Sequence, residues 1–277
     1  MKTFLISLIF LFGIGSTVCF AESDVQNPFL YERFTLKGGI VHHSVSGEFS
    51  YEKDDNNARH VDLDDLGLDE SVNTPSVDVR LRLGKRLSLN SGYFGYHEDG
   101  KHRSTFEYEF GDIVIPIGAI TDSEIDLDVY FVNLGYSVYS AANTEVGMGI
   151  GVHGADFSLE IAAQIDPENN PIQPVDLGHA REDFLAPMPN LYFFASRALR
   201  ENLLLHLNGG WMSMTYDDYD GDLYFLRATL DYRVKKHFGI GGGYSYYNVD
   251  VEYDPGHKTE TYDVEFSGPM VYMIFGF

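Results

Sequence analysis

The sequence is poor in cysteine, since Cys19 is the single thiol among 277 residues. One cysteine cannot form a disulfide within the chain, which excludes a disulfide-stabilised scaffold. After the first twenty residues there is no apolar run long enough to cross a membrane as a helix, and no extended helical periodicity. Linkers rich in proline and serine are missing as well. These absences predict one domain that is held together by β-sheet alone.

Positively charged side chains are also scarce. The sequence has 19 lysines and arginines against 42 aspartates and glutamates, which gives a net charge of −23. It contains no basic patch for nucleic acid, no phosphate-binding Gly-Lys-Ser/Thr loop, no dinucleotide fingerprint and no histidine spacing typical of zinc sites. We therefore expect no nucleic-acid partner and no cofactor.

The first 21 residues have the composition of a secretory signal peptide. Lys2 supplies a positive charge, Phe4–Ile14 is apolar, and a small-residue cleavage site follows at Ala21. The apolar part is too short to be retained as a transmembrane helix. The sequence predicts removal of residues 1–21, which leaves residues 22–277 as one domain. Its net charge is −24, one unit below the −23 of the full chain because Lys2 is lost.

Apolar side chains alternate along the last residues of the sequence, at Val271, Met273, Phe275 and Phe277. A strand with this period of two presents one apolar face, which suits contact with membrane hydrocarbon. The segment resembles the C-terminal signature of bacterial outer-membrane β-barrels, whose last strand ends on phenylalanine. The resemblance implies an outer-membrane location, contact with membrane lipid and lipopolysaccharide, and Phe277 as a signal for the barrel assembly machinery.

Segments of alternating polarity are joined by connections of two lengths. Short ones are expected at Gly84–Arg86, Ser140–Thr144, Ala198–Asn202 and Lys235–His237. Long acidic ones are expected at Glu52–Thr74, Glu98–Asp122, Glu160–Asp183, Tyr216–Asp222 and Tyr253–Glu260. Their strict alternation predicts a closed, antiparallel, up-and-down transmembrane β-barrel of about ten strands, with eight or twelve as the alternatives.

Charged side chains on the inward faces of these strands predict a filled lumen. The candidate charge network consists of Asp78, Arg80, Arg82, Arg227, Asp231 and Arg233. Stripes of glycine, at Gly147–Gly151 and Gly239–Gly243, are expected either to make room for the arginines or to curve the sheet. A narrow barrel filled in this way would be plugged rather than an open pore.

One candidate catalytic group lies on the first strand. His42 and Ser44 share a face, with Glu48 further along that face. The pair resembles the His-x-Ser of outer-membrane phospholipase and lipid A deacylases, in which imidazole activates the hydroxyl as a nucleophile. The alternative is a hydrated strand end with histidines at the membrane interface, and this structural role is the one we expect.

Asp126 and Asp128 form a second candidate group. They resemble one half of the omptin protease constellation, in which paired carboxylates and an Asp–His couple activate water. The sequence contains no Asp-x-His couple to supply the other half. Solvated acids on a strand extension are the expected role.

Acidic turns suggest a third kind of site. Asp218, Asp220 and Asp222 are the candidate metal ligands, while the acidic run at Asp62–Glu70 departs from the EF-hand pattern. An ordinary hydrated loop is the alternative expectation, so no specific metal is predicted.

The sequence thus predicts an outer-membrane β-barrel with acidic external loops. Its expected role is structural or surface interaction, with a plugged lumen and no enzymatic activity. A hydrolase acting on lipid or peptide at the barrel rim, and a narrow channel for small solutes, are the alternatives.

Overall fold

A computed structural model describes residues 27–53, 59–62, 67–68, 71–105, 107–110, 113–165, 175–216, 219–253 and 258–277. The predicted signal peptide at residues 1–21 and the candidate metal ligand Asp218 lie outside these ranges. Among the described residues, no helix is both long enough and apolar enough to cross a membrane.

The described residues form thirteen strands, of which ten close into a ring. The strands are β1 (Phe34–Lys53), β2 (Arg59–Asp62), β3 (Ser71–Arg82), β4 (Leu87–Arg103), β5 (Tyr108–Phe110), β6 (Ile113–Ile115), β7 (Ala119–Ser140), β8 (Thr144–Ile165), β9 (Val175–Arg200), β10 (Leu203–Tyr216), β11 (Tyr219–Lys235), β12 (Phe238–Tyr253) and β13 (Lys258–Gly276). The ring follows the chain order β1, β3, β4, β7, β8, β9, β10, β11, β12 and β13, and antiparallel pairing of β13 with β1 closes it. The prediction of a closed barrel of about ten strands is confirmed.

The three remaining strands are short and lie at the outer end of the ring. β2 pairs with β1, and β5 with β6 forms a separate hairpin between β4 and β7. Leu68 and Ile115, in these connections, are fully buried and belong to the same apolar cluster as the barrel interior. The outer connections therefore cover the interior at that end.

The short turns lie where they were expected, but the long connections are shorter than predicted. β4 continues to Arg103 and β7 begins at Ala119, so the acidic residues between Glu98 and Asp122 lie largely in strands. β10 ends at Tyr216 and β11 begins at Tyr219, which makes Asp220 and Asp222 strand residues. A strand can continue through polar residues where its outward face meets water, because its inward apolar residues pack in the interior.

Near the turns that were predicted to be short, the apolar side chains face outward. On β7 the outward row runs through Tyr130, Val132, Leu134, Tyr136 and Val138, all of which are exposed. Asn133 and Ser137, between them, are buried inside. Equivalent outward apolar rows lie on β3, β8, β11 and β13, and we call this level of the barrel the membrane band. A hydrocarbon-facing belt around a polar lumen is the arrangement expected of a transmembrane barrel.

Farther along the same strands the arrangement is reversed. On β7 the outward residues Asp122, Glu124, Asp126 and Asp128 are acidic, while Ile125, Leu127 and Val129 point inward and are buried. β7 has 22 residues, about twice the nine to eleven that span a membrane. We call this part of the ring, represented by β7 119–129 and β8 155–165, the outer wall. It is a water-facing barrel with an apolar core.

The ring closes where β13 meets β1 at the end with the short turns. The backbone N–H groups of Arg33 and Phe34 donate to the carbonyl of Phe277, at 2.8 and 3.1 Å. The Phe277 ring stacks on His237 at 4.9 Å and is exposed on the outward face. Phe277 therefore lies at the seam of the barrel.

Candidate functional site

The lumen at the level of the membrane band contains charged pairs that join strands across the interior. Asp78 on β3 accepts two hydrogen bonds from Nη1 of Arg227 on β11, both at 2.9 Å. Nη2 of Arg227 donates to the Tyr247 hydroxyl at 3.0 Å. β3 and β11 are four strands apart around the ring by the shorter path, so this pair crosses the lumen close to its diameter.

A second pair places Lys37 on β1 against Asp231 on β11. Lys37 Nζ donates to Asp231 at 2.8 Å, and the Tyr272 hydroxyl donates to the other carboxylate oxygen at 2.5 Å. Asp231 is only 2% exposed, so this carboxylate is taken out of water and needs both donors. Lys37, which was not part of the candidate charge network, is thus the ionic partner of Asp231.

The inner end of the lumen, beside the short turns, is filled by the segment before β1. Arg82 makes a two-pronged ion pair with Glu145 of β8, at 3.0 and 2.7 Å. Arg233 pairs with Glu32, and its guanidinium lies over the Phe29 ring at 4.0 Å. Arg80 donates to the backbone carbonyl of Phe29. The contacts of Arg80 and Arg233 with Phe29 hold a short 3-10 turn, Pro28–Leu30, at the inner end of the barrel.

Histidines complete the polar interior. His153 Nδ1 lies 3.0 Å from Oδ1 of Asn190, whose Nδ2 donates to Asn133 at 3.4 Å. His206 Nδ1 lies 2.6 Å from the Ser196 hydroxyl. Buried polar side chains usually have hydrogen-bond partners in folded proteins. Each of these pairs provides one such partner, for the Nδ1 atom of the histidine.

At three positions of the glycine stripes, Gly147, Gly239 and Gly241, the glycine makes room for a ring rather than for an arginine. A Cβ on Gly147 would lie 2.3 Å from the Phe194 ring, and one on Gly241 would lie 2.3 Å from the Tyr272 ring. One on Gly239 would meet Phe29 at 2.9 Å. The expectation that these stripes accommodate the arginines is therefore wrong for these positions, because aromatic side chains occupy the space.

An aromatic layer lies between the polar interior and the apolar core of the outer wall. The His153 ring lies 4.6 Å from Phe225 and 5.4 Å from Phe131, while Phe94 lies 4.9 Å from Tyr247. These contacts join β8 to β11 and β4 to β12 through the interior. The layer separates a polar cavity of about 70 Å³ around Asp78 and Arg227 from an apolar cavity of about 50 Å³ in the outer wall.

The candidate catalytic residues His42, Ser44 and Glu48 all face outward, away from the lumen. His42 and Ser44 are exposed, and His42 Nδ1 lies 3.1 Å from Oδ1 of Asn73. In the described part of the chain no hydrogen bond joins His42 to Ser44. An imidazole must lie within hydrogen-bond reach of a hydroxyl to activate it, and this geometry does not supply that contact.

Asp126 and Asp128 contact a histidine that the sequence did not single out. His97 Nδ1 lies 2.8 Å from Asp126 and its Nε2 lies 3.5 Å from Asp128, while the Tyr93 hydroxyl donates to Asp128 at 2.7 Å. The group lies on the outward face just above the membrane band. His97 thus lies between the two carboxylates on this outward face.

The candidate metal ligands Asp220 and Asp222 lie on the outward face of β11. Asp220 accepts a hydrogen bond from Thr215 at 2.6 Å. Asp222 lies directly opposite Asp250 of β12, which in turn lies opposite Asp263 of β13. Burial, with Asp263 and Asp222 as neighbours, raises the pKa of Asp250. No cluster of three or more metal-ligating side chains occurs among the described residues.

Sequence reasoning missed Lys37, Glu145 and Glu32, which are the partners of Asp231, Arg82 and Arg233. It also missed His43, which is 1% exposed between the rings of Phe94 and Phe266. The alternation in the sequence indicates that Lys37 and Glu145 face inward. It does not indicate their ion-pair partners, because these partners lie on strands far apart along the chain.

No family model and no curated protein matches this chain. Among solved structures, the outer membrane protease OmpT from Escherichia coli is similar, with a TM-score of 0.58 and 9% identity over 88% of this chain and 97% of OmpT. OprG from Pseudomonas aeruginosa (TM-score 0.37, 11% identity, 88% of this chain and 95% of OprG) also matches. So does the toluene transporter TodX from P. putida (TM-score 0.34, 7% identity, 92% and 93%). At these identities the likeness concerns the fold.

The closed ring, its apolar outward band and the similarity of its fold to that of OmpT define the class of protein. The chain is a small outer-membrane β-barrel of ten antiparallel strands. A shared fold does not by itself select an activity.

Proposed function

We propose that this protein is a non-enzymatic outer-membrane barrel whose lumen is plugged and whose outer wall is a surface for contacts outside the membrane. The Asp78–Arg227 pair carries the proposal, because it crosses the lumen close to the diameter and both partners are buried or half-buried. An ion path at this level would have to separate two charges that are bound to each other in a confined interior.

Three successive layers support a plugged lumen. The Pro28–Leu30 turn occupies the inner end, the charged pairs occupy the middle, and the aromatic layer closes the interior above them. Ions cross a pore only when water or polar groups replace their hydration shell, and the aromatic and apolar layers offer neither. A solute therefore meets at least two barriers of different chemistry.

Planar-bilayer recording of the mature chain tests the plug. The proposal expects no stable open conductance from the unaltered protein. A triple variant, Phe29→Ala with Arg227→Ala and Phe225→Ala, weakens all three layers, and it should produce measurable conductance. Asp126→Asn on the outward face is the matched control and should stay silent. A stable, large conductance in the unaltered protein would favour the channel alternative and overturn the proposal.

The proposed partners follow from the outward surface. The membrane band would contact outer-membrane lipid and lipopolysaccharide, and the acidic outer wall would face the medium. Phe277 at the seam is the proposed signal for the barrel assembly machinery. Phe277→Ala should lower the amount of assembled barrel in cells, measured as heat-modifiable protein, while Leu83→Ala at another exposed position of the inner rim should not. Equal assembly of both variants would overturn the proposed role of Phe277.

A further inference from the structure

The inner rim of the barrel, where the short turns lie, is basic although the chain as a whole is acidic. Among the described residues, seven exposed lysines and arginines lie there, against one exposed acidic residue, Glu201. The seven are Arg33 before β1, Lys85 and Arg86 between β3 and β4, Arg197 and Arg200 before β10, and Lys235 and Lys236 beside the turn to β12. Within the described part of the chain none of them forms an ion pair. The inner rim therefore attracts anions, whereas the acidic outer wall repels them.

A cavity of about 660 Å³ opens at this rim, between the segment that precedes β1 and the turns that follow β3 and β7. This volume lies within the range of about 300–1,000 Å³ that is usual for small-molecule sites. Two of the seven basic residues, Arg33 and Lys85, line it. Arg82 and Glu145 also line it, but they neutralise each other through their two-pronged ion pair. The wall thus carries two positive charges that no described side chain balances.

Hydrogen bonds hold the walls of this cavity in place. The backbone N–H of Arg33 donates to the Phe277 carbonyl at 2.8 Å, and the Arg33 carbonyl accepts from the backbone N–H of Arg82 at 2.8 Å. The Tyr31 hydroxyl donates to the Ala142 carbonyl in the turn after β7, also at 2.8 Å. The segment before β1 is therefore tied to β13, β3 and the β7–β8 turn, so the cavity is formed before any ligand enters it.

Apolar side chains connect the cavity to the membrane band. Leu83 lines the cavity and is 59% exposed. Leu81 and Leu87, on the two strands that flank the β3–β4 turn, are exposed on the outward face, where they meet hydrocarbon. A ligand with an anionic head and apolar chains could contact the two positive charges and these leucines together. A water-soluble anion would leave the leucines uncovered.

We propose that the inner-rim cavity binds the head group of an anionic phospholipid of the membrane leaflet on that side. The phosphate would lie between Arg33 and Lys85, and the acyl chains would run along Leu83 and Leu87 of the membrane band. Each basic side chain near an anionic lipid head group raises the affinity about fivefold. The site lies outside the layers that fill the lumen and does not depend on the lumen being closed.

The experiment uses native mass spectrometry of the mature barrel in detergent micelles, which resolves each bound lipid by its mass. Titration with dioleoyl phosphatidylglycerol is compared with titration with dioleoyl phosphatidylcholine, which has the same acyl chains and no net charge. We expect the first phosphatidylglycerol to bind about 5- to 25-fold more tightly than the first phosphatidylcholine, because two basic side chains contribute to the difference.

Three variants separate the cavity from the general charge of the rim. Arg33→Gln with Lys85→Gln should bring the two lipids to nearly equal affinity. Lys235→Gln with Lys236→Gln is the matched control, since it removes the same charge from the same rim outside the cavity, and it should keep the preference. Ser140→Trp fills the cavity without a change of charge and should abolish the preference, which repeats the test if the first variant does not fold. Heat-modifiable migration scores the folding of each variant.

Several outcomes would overturn the proposal. Equal affinity of the unaltered protein for the two lipids is one, and a preference that survives in the folded Arg33→Gln, Lys85→Gln variant is another. An equal loss of preference in both glutamine pairs would mean diffuse attraction by the whole rim. Displacement of phosphatidylglycerol by an equimolar amount of sn-glycerol 3-phosphate would assign the cavity to a soluble phosphate ester instead. Conductance plays no part in these readouts, so their failure is distinguishable from failure of the proposed plug.

Discussion

Strand β7 uses opposite faces for its apolar side chains in its two halves. Between Val132 and Val138 they point outward, and between Ala119 and Val129 they point mainly inward. The backbone pairing with β8 continues from one half into the other, with a single irregularity near Ser137. The reversal therefore comes from the side chains, and it marks the position at which the solvent around the barrel changes from lipid to water.

The two halves are consequently stabilised by different forces. In the outer wall, water drives apolar side chains into the interior, as in a soluble protein. In the membrane band, lipid gives no such drive, so polar groups can fill the lumen if they satisfy one another. The charged pairs and the apolar core are thus alternative ways of filling the same narrow ring.

The largest expected effect comes from breaking a charged pair in the membrane band. Arg227→Ala leaves the half-buried Asp78 without its partner inside the lumen, which should lower the free energy of unfolding by up to about 3–5 kcal/mol. Urea unfolding in detergent micelles, followed by tryptophan fluorescence, measures the change. The double variant Asp78→Ala with Arg227→Ala should recover part of the loss, because no charge is left unpaired. A double variant as unstable as the sum of the two single variants would contradict this account.

The next effect concerns the apolar core of the outer wall. Leu159 is 2% exposed, and Leu159→Ala should lower the free energy of unfolding by about 2–5 kcal/mol because it leaves a cavity. Glu160→Ala, one residue along on the outward face, should change it by less than about 0.5 kcal/mol. Urea unfolding of both variants checks the pair. Equal changes in the free energy of unfolding for the two variants would mean that the outer wall has no apolar core.

The smallest effect concerns the carboxylates on the outward face of the outer wall. Asp250→Asn removes one charge from the row in which Asp250 lies between Asp222 and Asp263, and it should stabilise the barrel by about 0.2–1 kcal/mol at neutral pH. Because the pKa of Asp250 is raised in the folded protein, its ionised form is the destabilising one. Stability from this group is present at low pH and is lost as the pH rises through that pKa.

Thermal unfolding of Asp250→Asn at a series of pH values gives the measurement. The advantage of the variant should shrink as the pH falls and Asp250 takes up a proton. Asn248→Asp, on the same face, serves as the opposite variant and should destabilise at neutral pH. An advantage for Asp250→Asn that does not depend on pH would show that repulsion between the carboxylates is not its cause.

The ring and the membrane band could be predicted from the sequence because each depends on local alternation. Val77, Leu81 and the outward row of β7 follow a period of two, and the short turns separate the strands as expected. The far end of the outer wall, at residues 119–122 of β7 and 160–165 of β8, was expected in loops, since its outward face is polar and its inward face alone continues the apolar pattern. The alternation of polar and apolar residues continues there, but the apolar residues occupy the inward positions instead of the outward ones.

The partners inside the lumen could not be predicted, for a geometric reason. Lys37 and Asp231 are 194 positions apart in the sequence, and Arg82 and Glu145 are 63 apart. Which inward residues meet across a barrel depends on strand stagger and on the space left by neighbours such as Tyr272 and Phe194. Alternation determines whether a residue faces inward or outward. It does not determine the position of that residue along the barrel axis relative to residues on the opposite strands.

The exchange of apolar faces along β7 is tested most directly by site-directed spin labelling. Single cysteines are placed at Asp122, Asp126, Val132 and Leu134 of the barrel in lipid bilayers, and the accessibility of each label to oxygen and to a water-soluble nickel chelate is measured. The account predicts that labels at 132 and 134 favour oxygen, which dissolves in lipid, and that labels at 122 and 126 favour the chelate. The same preference at all four positions would contradict it.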